Sequence, residues 1–163
     1  ARQLEGGLPD HIVFPVGNGG LYLGAWKGFD ELRSAGLIGR VPRLHCVQSR
    51  TVMPLVAAHH GEEWLPSGDT VTVAGGIAVG APARRDQVLS VLRATSGAAV
   101  AVDDPDILRW QSALAEREGV YTETTSAAAL AGLERLVLTG VVGADEMVLV
   151  PITGTGLKDT PPG

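Results

Sequence analysis

The chain of 163 residues carries 13 Lys plus Arg against 18 Asp plus Glu, a formal net charge of −5, and is 45% hydrophobic with a mean hydropathy of +0.17. That is enough apolar material for one buried core, and it excludes the low-hydrophobicity, high-charge signature of disorder. The cations are scattered along an acidic chain, which excludes the clustered Lys and Arg that a nucleic-acid or anionic-membrane surface requires.

Taken in chain order, the pattern is one of alternating strands and helices. Ala1-Arg2-Gln3-Leu4-Glu5 before Gly6-Gly7 reads as the last turn of a helix closing at a glycine cap, so the chain is expected to begin inside a larger protein. His11-Ile12-Val13-Phe14-Pro15-Val16 is apolar on both faces, which predicts a strand buried in a parallel sheet. Gly17-Asn18-Gly19-Gly20 breaks that run, and Leu21, Ala25, Phe29 and Leu32 then recur at helical spacing. A second strand over about 43–47 and a short helix over 53–60 complete a βαβ unit. Gly61 to Pro82, including Trp64-Leu65-Pro66-Ser67-Gly68-Asp69, has no regular period and reads as loop. Val88, Leu89, Val91 and Leu92 share a helix between Arg84 and Ser96, and Ala98 to Val102 is a strand. Asp103 and Asp104 read as a cap, with Asp104 capping a helix that starts at Pro105, ends at Gly119 and turns Ile107, Trp110, Ala113 and Leu114 to one face. Another helix starts at Thr124 or Thr125 and closes at Gly140, and Met147 to Ile152 is a final buried strand. The expected architecture is α/β, a Rossmann-like, mostly parallel sheet with flanking helices that alternate with its strands.

A strand passing through a glycine loop straight into a helix aims several backbone N–H groups, at the positive end of the helix dipole, toward one point, as phosphate binding requires. Tyr22 stands where a dinucleotide fingerprint needs its third glycine, and Gln48-Ser49-Arg50 stands where it needs an acid. Gly24 is followed by Ala25-Trp26 rather than the Lys and Ser or Thr of a P-loop. The residues alone leave two readings open: a monophosphate loop, or a turn that lets helix and strand pack closely. Thr153-Gly154-Thr155-Gly156-Leu157-Lys158-Asp159 also follows a strand and so lies at the carboxyl edge of the sheet, where open α/β folds bind ligands. The two loops are expected to face one pocket.

Val16 to Gly20, Ile77-Ala78-Val79-Gly80-Ala81-Pro82, Glu118 to Ala128 and Thr153 to Asp159 fall in the order and spacing of the C-terminal half of threonine synthase. Over about residues 9–160 the chain resembles that family, within the fold type II pyridoxal-phosphate enzymes. The resemblance implies pyridoxal 5′-phosphate as cofactor, with its phosphate held by Gly17, Asn18, Gly19 and Gly20, its pyridine nitrogen hydrogen-bonded by Thr153, and Glu123 lining the pocket. A hydroxyl partner leaves the ring nitrogen largely uncharged, a weaker electron sink than a carboxylate partner makes. It also implies a cytoplasmic, homo-oligomeric carbon–oxygen lyase that converts O-phospho-L-homoserine and water to L-threonine and phosphate. Ala78 stands where the family carries arginine, and Thr124 where it carries proline, which keeps open a paralogue of the threonine dehydratase or cysteate synthase type. The reading from a different class is a non-catalytic phosphate-binding or interaction module.

The Schiff-base lysine of the family lies in the N-terminal half, and neither lysine here, Lys27 or Lys158, matches its position. Residues 1–163 are therefore expected to be a C-terminal cofactor-binding segment, inactive alone, that leaves a sheet edge and apolar surface exposed until the N-terminal half covers them. Replacing Gly19 with a β-branched residue is expected to abolish phosphate binding without unfolding the domain.

Other residues carry less. His59-His60 is followed by Glu62-Glu63, but adjacent histidines do not share a helix face, so no metal is expected and the group reads as a solvated helix end. Cys46, a lone cysteine in a strand pattern, reads as a small hydrophobe and fits a reducing cytoplasm. Gln48 and Ser49 either reach the pocket or form a polar strand terminus. No apolar run approaches the roughly 18 residues of a membrane span, and no signal peptide is evident at the N-terminus.

Overall fold

A computed structural model describes residues 7–66, 68 and 70–158. The helix end expected over Ala1 to Glu5, together with Ser67, Asp69 and Asp159, lies outside the described residues. The elements run β1 (His11–Pro15), α1 (Gly20–Ser34), β2 (Arg43–Ser49), α2 (Pro54–His59), a 3-10 turn (Gly75–Ile77), α3 (Arg85–Ala94), β3 (Ala99–Val102), α4 (Asp104–Glu118), α5 (Thr124–Leu138), β4 (Val148–Leu149) and a second 3-10 turn (Gly156–Lys158). The four strands form one parallel sheet in the order β3-β2-β1-β4, with His11 opposite Arg43 on one side and Val148 on the other. β1 is central, as its two-faced apolar run predicts.

Successive residues of β1 feed opposite layers. Ile12 and Phe14 join Leu44, Cys46, Leu55, Val88 and Leu92 under α1, α2 and α3. Val13 joins Val47, Val102, Ile107 and Leu136 under α5. The small face of α5, Ala127, Ala128, Ala131 and Gly132, brings that helix close to the strands, and α4 packs on its outer side. Two helices thus follow β3 in succession, as the two helical runs read before Gly119 and Gly140 place them, and the general alternation of helices with strands is broken at this point. α5 covers the sheet and α4 packs on α5, so no strand is needed between them.

Three further expectations are corrected. The predicted stripe of α1 holds at Ala25 and Phe29 but not at its start, where Tyr22 is 1% exposed and Leu21 51% exposed. The Tyr22 hydroxyl donates to Leu44 O at 3.0 Å and its ring meets Phe14 edge-on at 5.6 Å, which turns Ala25, Trp26 and Phe29 inward with it. Asp104 is the first residue of α4 rather than its cap; its carboxylate accepts the Thr72 hydroxyl at 2.5 Å and the Val73 N–H at 3.0 Å. Asp103 holds the cap position without a side-chain bond to the helix and pairs with Arg50 at 2.8 Å. The last strand is short and lies at an edge, with Leu149 and Ile152 partly exposed rather than buried. Pro151, lacking an N–H, cannot extend the ladder.

The other edge is closed by side chains. His60 Nε2 lies 3.2 Å from Ala99 O, and Arg50 donates to Ala101 O at 3.4 Å. These occupy β3 carbonyls that would otherwise template another strand. Cys46 is buried, and burial pushes its thiol well above the ordinary range, consistent with an inert core residue.

Beneath the amino ends of the strands lies a buried histidine pair. Ala98 N–H donates to His45 Nδ1 at 3.0 Å, so His45 carries its proton on Nε2 and gives it to His11 Nδ1 at 2.8 Å. The far nitrogen of His11 stands 3.0 Å from a Glu146 carboxylate oxygen, though off the line of a good hydrogen bond. Burial, aided by the His11 ring and the Arg43 guanidinium, lowers His45 to about 3. The unfolded chain therefore takes up a proton that the folded one refuses, and stability is lost as pH falls from about 6.5 toward 3, by an amount on the order of a few kcal/mol. His59, lowered by burial, adds in the same direction. Urea melts at pH 7.5 and pH 5 should show a lower midpoint at pH 5; equal midpoints would contradict it.

Candidate functional site

The phosphate-loop candidate joins β1 to α1. Gly19 caps the helix with left-handed φ 83° and ψ 10° and no side-chain cap, so the first-turn N–H groups of Gly20, Leu21 and Tyr22 have no intrahelical acceptor. Leu23 N–H is the first to close, onto Gly19 O at 2.9 Å. A Cβ on Gly19 would collide with the buried Val88 side chain, and one on Gly17 would stand 2.9 Å from Gly76 O. A Cβ on Gly20 would meet nothing within 4 Å. Asn18 turns its side-chain oxygen to Ala83 N–H at 3.3 Å and so braces the loop against the run ending in Pro82.

The second glycine loop leaves β4, the strand beside β1, and is stitched to the segment entering α5. Glu123 N–H donates to Gly154 O at 3.0 Å, Thr122 Oγ1 to the same oxygen at 3.0 Å, and Gly156 N–H to Tyr121 O at 3.0 Å. This is an antiparallel bridge between Thr122 and Thr155. It requires close approach, since a Cβ on Gly156 would stand 2.7 Å from Thr122 O and one on Gly154 would overlap the Glu123 carboxyl. Thr153, whose N–H donates to Ser126 Oγ at 3.0 Å, has its hydroxyl 2.9 Å from the same oxygen. Glu123 is nearly buried at the N-cap of α5, 3.3 Å from Thr153 Oγ1 and 2.5 Å from Lys158 Nζ.

Gly17, Asn18, Gly19, Gly20 and Thr153 together line one cavity of about 260 Å³ at the carboxyl ends of β1 and β4. Tyr22, Gly76, Ile77 and Thr125 also line it; Ile77 and Thr125 lie in the runs that carry the family resemblance, but sequence reasoning gave none of the four a place in the site. Thr125 also accepts Gly76 N–H at 3.1 Å, and its neighbour Thr124 donates to Val73 O at 2.6 Å, a bond that proline could not make. Glu123 stands behind Thr153 rather than on the wall. Gln48 and Ser49 do not reach the cavity. The Gln48 amide accepts Leu55 N–H at 2.8 Å and Val56 N–H at 3.3 Å and donates to Val16 O at 3.2 Å, while Ser49 Oγ accepts Thr51 N–H. The lysines lie elsewhere: Lys27 pairs with Glu31 along α1, and Lys158 with Glu123. A roomier groove of about 440 Å³ runs between the flanks of α1 and α3, away from the strand ends. Among the described residues, no group of three or more His, Cys, Asp or Glu could hold a metal ion.

The sheet turns at this cavity: β1, β2 and β3 progress in one direction, and the chain then returns to place β4 on the opposite side of β1. Such a switch point is where open α/β sheets bind ligands. Residues 1–154 match the family of pyridoxal-phosphate dependent enzymes. The chain belongs to that family. Pyridoxal phosphate is the family's cofactor, and the residues here fit it: the open first-turn N–H groups of Gly20, Leu21 and Tyr22, entered through a loop whose Gly17, Gly19 and Gly20 carry no Cβ, on one wall, and the Thr153 hydroxyl on another.

The chain is 39% identical over 161 residues to a threonine synthase of Methanosarcina acetivorans, covering 98% of this chain and 40% of that one. It is 35% identical over 159 residues to a threonine synthase of Methanocaldococcus jannaschii, covering 96% and 39%. It thus spans about 40% of the length of these relatives. In fold it is similar to a fungal L-serine ammonia-lyase from Rhizomucor miehei, with TM-score 0.73, 22% identity and coverage of 94% of this chain and 48% of that one. A threonine deaminase from Solanum lycopersicum gives TM-score 0.68 at 18% identity, over 94% and 42%. These neighbours mark the sheet as that of fold type II.

Proposed function

We propose that this chain forms the phosphate and ring-nitrogen side of the cofactor site in a threonine synthase-like lyase, acting on a carbon–oxygen bond to convert O-phospho-L-homoserine and water to L-threonine and phosphate. The observation that carries the reading is the meeting of Gly17–Gly20 and Thr153 across one cavity at the sheet's switch point. The first-turn N–H groups of α1 hold the phosphate, where hydrogen bonds and the positive dipole end act together. Thr153 addresses the pyridine nitrogen, and Glu123 supports it from behind. Pyridoxal phosphate supplies an electron sink at the reacting carbon, kept weak here by a hydroxyl rather than a carboxylate partner.

The remaining part of the enzyme supplies the lysine that carries the cofactor, and it covers the β4 edge, where Leu149 and Ile152 are partly exposed and Leu157 is 84% exposed. The resulting protein is a homo-oligomer of the cytoplasm. Among the described residues, no helix is long and apolar enough to cross a membrane. A deaminase-type reaction is the second reading, favoured by the fold neighbours and by Ala78 in place of the family's arginine. Phosphate release from phosphohomoserine by the full-length protein supports the synthase; ammonia release from serine or threonine instead overturns it.

The cofactor assignment has a local test. Side chains at the start of a helix lean toward its N-terminus, so a valine at position 20 projects over the N–H row. Gly20→Val should weaken binding of 4′-deoxypyridoxine 5′-phosphate, an analogue unable to react with lysine, by at least about tenfold. Its thermal melt should remain that of the parent chain. Equal affinity in the variant removes the loop from the cofactor site.

A further inference from the structure

We propose that Ser126 and the Lys158–Glu123 ion pair act as positioning residues that set the direction of the Thr153 hydroxyl, making it a proton donor toward the cavity and thereby selecting an unprotonated pyridine nitrogen. This rests on the cofactor reading above and adds to it the proton arrangement of the ring-nitrogen wall.

The argument follows the protons. Ser126 Oγ, fully buried in the first turn of α5, accepts the Thr153 N–H at 3.0 Å, which anchors the oxygen and spends one lone pair. Its own proton has two acceptors within reach, Thr153 Oγ1 at 2.9 Å and Glu123 Oε1 at 3.4 Å. The shorter contact is the better bond, so Ser126 donates to Thr153. The Thr153 proton then has one protein acceptor, Glu123 Oε1 at 3.3 Å, or else the cavity. An unopposed, nearly buried carboxylate would capture it, because hydrogen bonds to a charged acceptor are roughly twice as strong as neutral ones. Glu123 is opposed: Lys158 Nζ stands 2.5 Å from its other oxygen. The ammonium draws on the carboxylate's charge, and the Thr153 proton is left to an acceptor in the cavity. A neutral aromatic nitrogen is such an acceptor, whereas a pyridinium N–H is a second donor and is repelled. The glycines fit this account, since only a residue without Cβ at position 154 lets the Glu123 carboxyl approach its place behind Thr153.

The test uses the chain as it is, with 4′-deoxypyridoxine 5′-phosphate labelled with ¹⁵N in the ring. Bound to the unmodified chain, the nitrogen should show the resonance of an unprotonated, hydrogen-bonded pyridine. Ser126→Ala removes the donor that orients Thr153 and should shift that resonance toward the free base while weakening binding by about tenfold. Lys158→Met, at a side chain that is more than half exposed, leaves the core untouched and should shift the resonance in the same direction. Thr153→Val should reproduce the Ser126→Ala shift, with no further change in the double variant. Should both Ser126→Ala and Lys158→Met leave the resonance unchanged while Gly20→Val still weakens binding, the positioning role is overturned and the cofactor reading stands. Absence of loop-dependent binding by the unmodified chain overturns both.

Discussion

Gly19→Val should cost the domain a substantial share of its stability rather than only its phosphate loop. Two penalties coincide at this position. A β-branched residue at φ 83° sits in the left-handed region, at about 1–2 kcal/mol. Its Cβ is also driven into Val88, a fully buried residue of α3, and overpacking of that kind costs roughly 1–3 kcal/mol. Against a typical total of about 5–15 kcal/mol, a combined loss of roughly 2–5 kcal/mol shifts the unfolding midpoint clearly. Urea denaturation followed by circular dichroism measures it, and a midpoint close to that of the parent chain would contradict the prediction. Sequence reasoning expects this substitution to spare the fold; the Val88 contact is the reason it does not, and it moves the clean test of the loop to Gly20.

Gln48→Leu should destabilise the chain by roughly 2–4 kcal/mol without touching the cavity. The start of α2 lacks a side-chain cap at Met53, and Pro54 has no N–H to satisfy. The N–H groups of Leu55 and Val56 both end on the Gln48 amide oxygen, and the amide nitrogen returns a bond to Val16 O at the exit of β1. Leucine fills the same volume and orphans all three buried partners. Gln48→Glu, which keeps the acceptor and loses the donor, should fall between the two in a urea titration. A Gln48→Leu midpoint equal to that of the parent chain would show that the cap is dispensable.

Local chemistry was legible wherever the cause is local. The run from His11 to Val16 is apolar on both faces and is the central strand; the glycine tetrad starts α1; Val88, Leu89, Val91 and Leu92 form the buried face of α3. Errors arose where a distant partner decides. Tyr22 rather than Leu21 faces inward because Leu44 O and the Phe14 ring receive it, and Asp104 leaves its capping role because Thr72 and Val73 offer better donors. Gln48 reads equally well as a pocket residue or a strand terminus until the start of α2 is seen beside it.

The sequence by itself determined the two loops, since glycine after a buried strand and before an apolar helix is a short-range signal of backbone geometry. It also determined the family, because four motifs in fixed order are preserved along the chain. Only the tertiary structure decided that the loops meet. That follows from β4 crossing back to pair with β1 rather than adding beyond β3, a choice made by the small face of α5 lying across the sheet and by the Thr122–Thr155 bridge that draws the last segment against the entry to α5. The pairing of β4 with β1 is settled by contacts between residues more than a hundred positions apart, such as His11 with Val148, and no short window along the chain contains both partners.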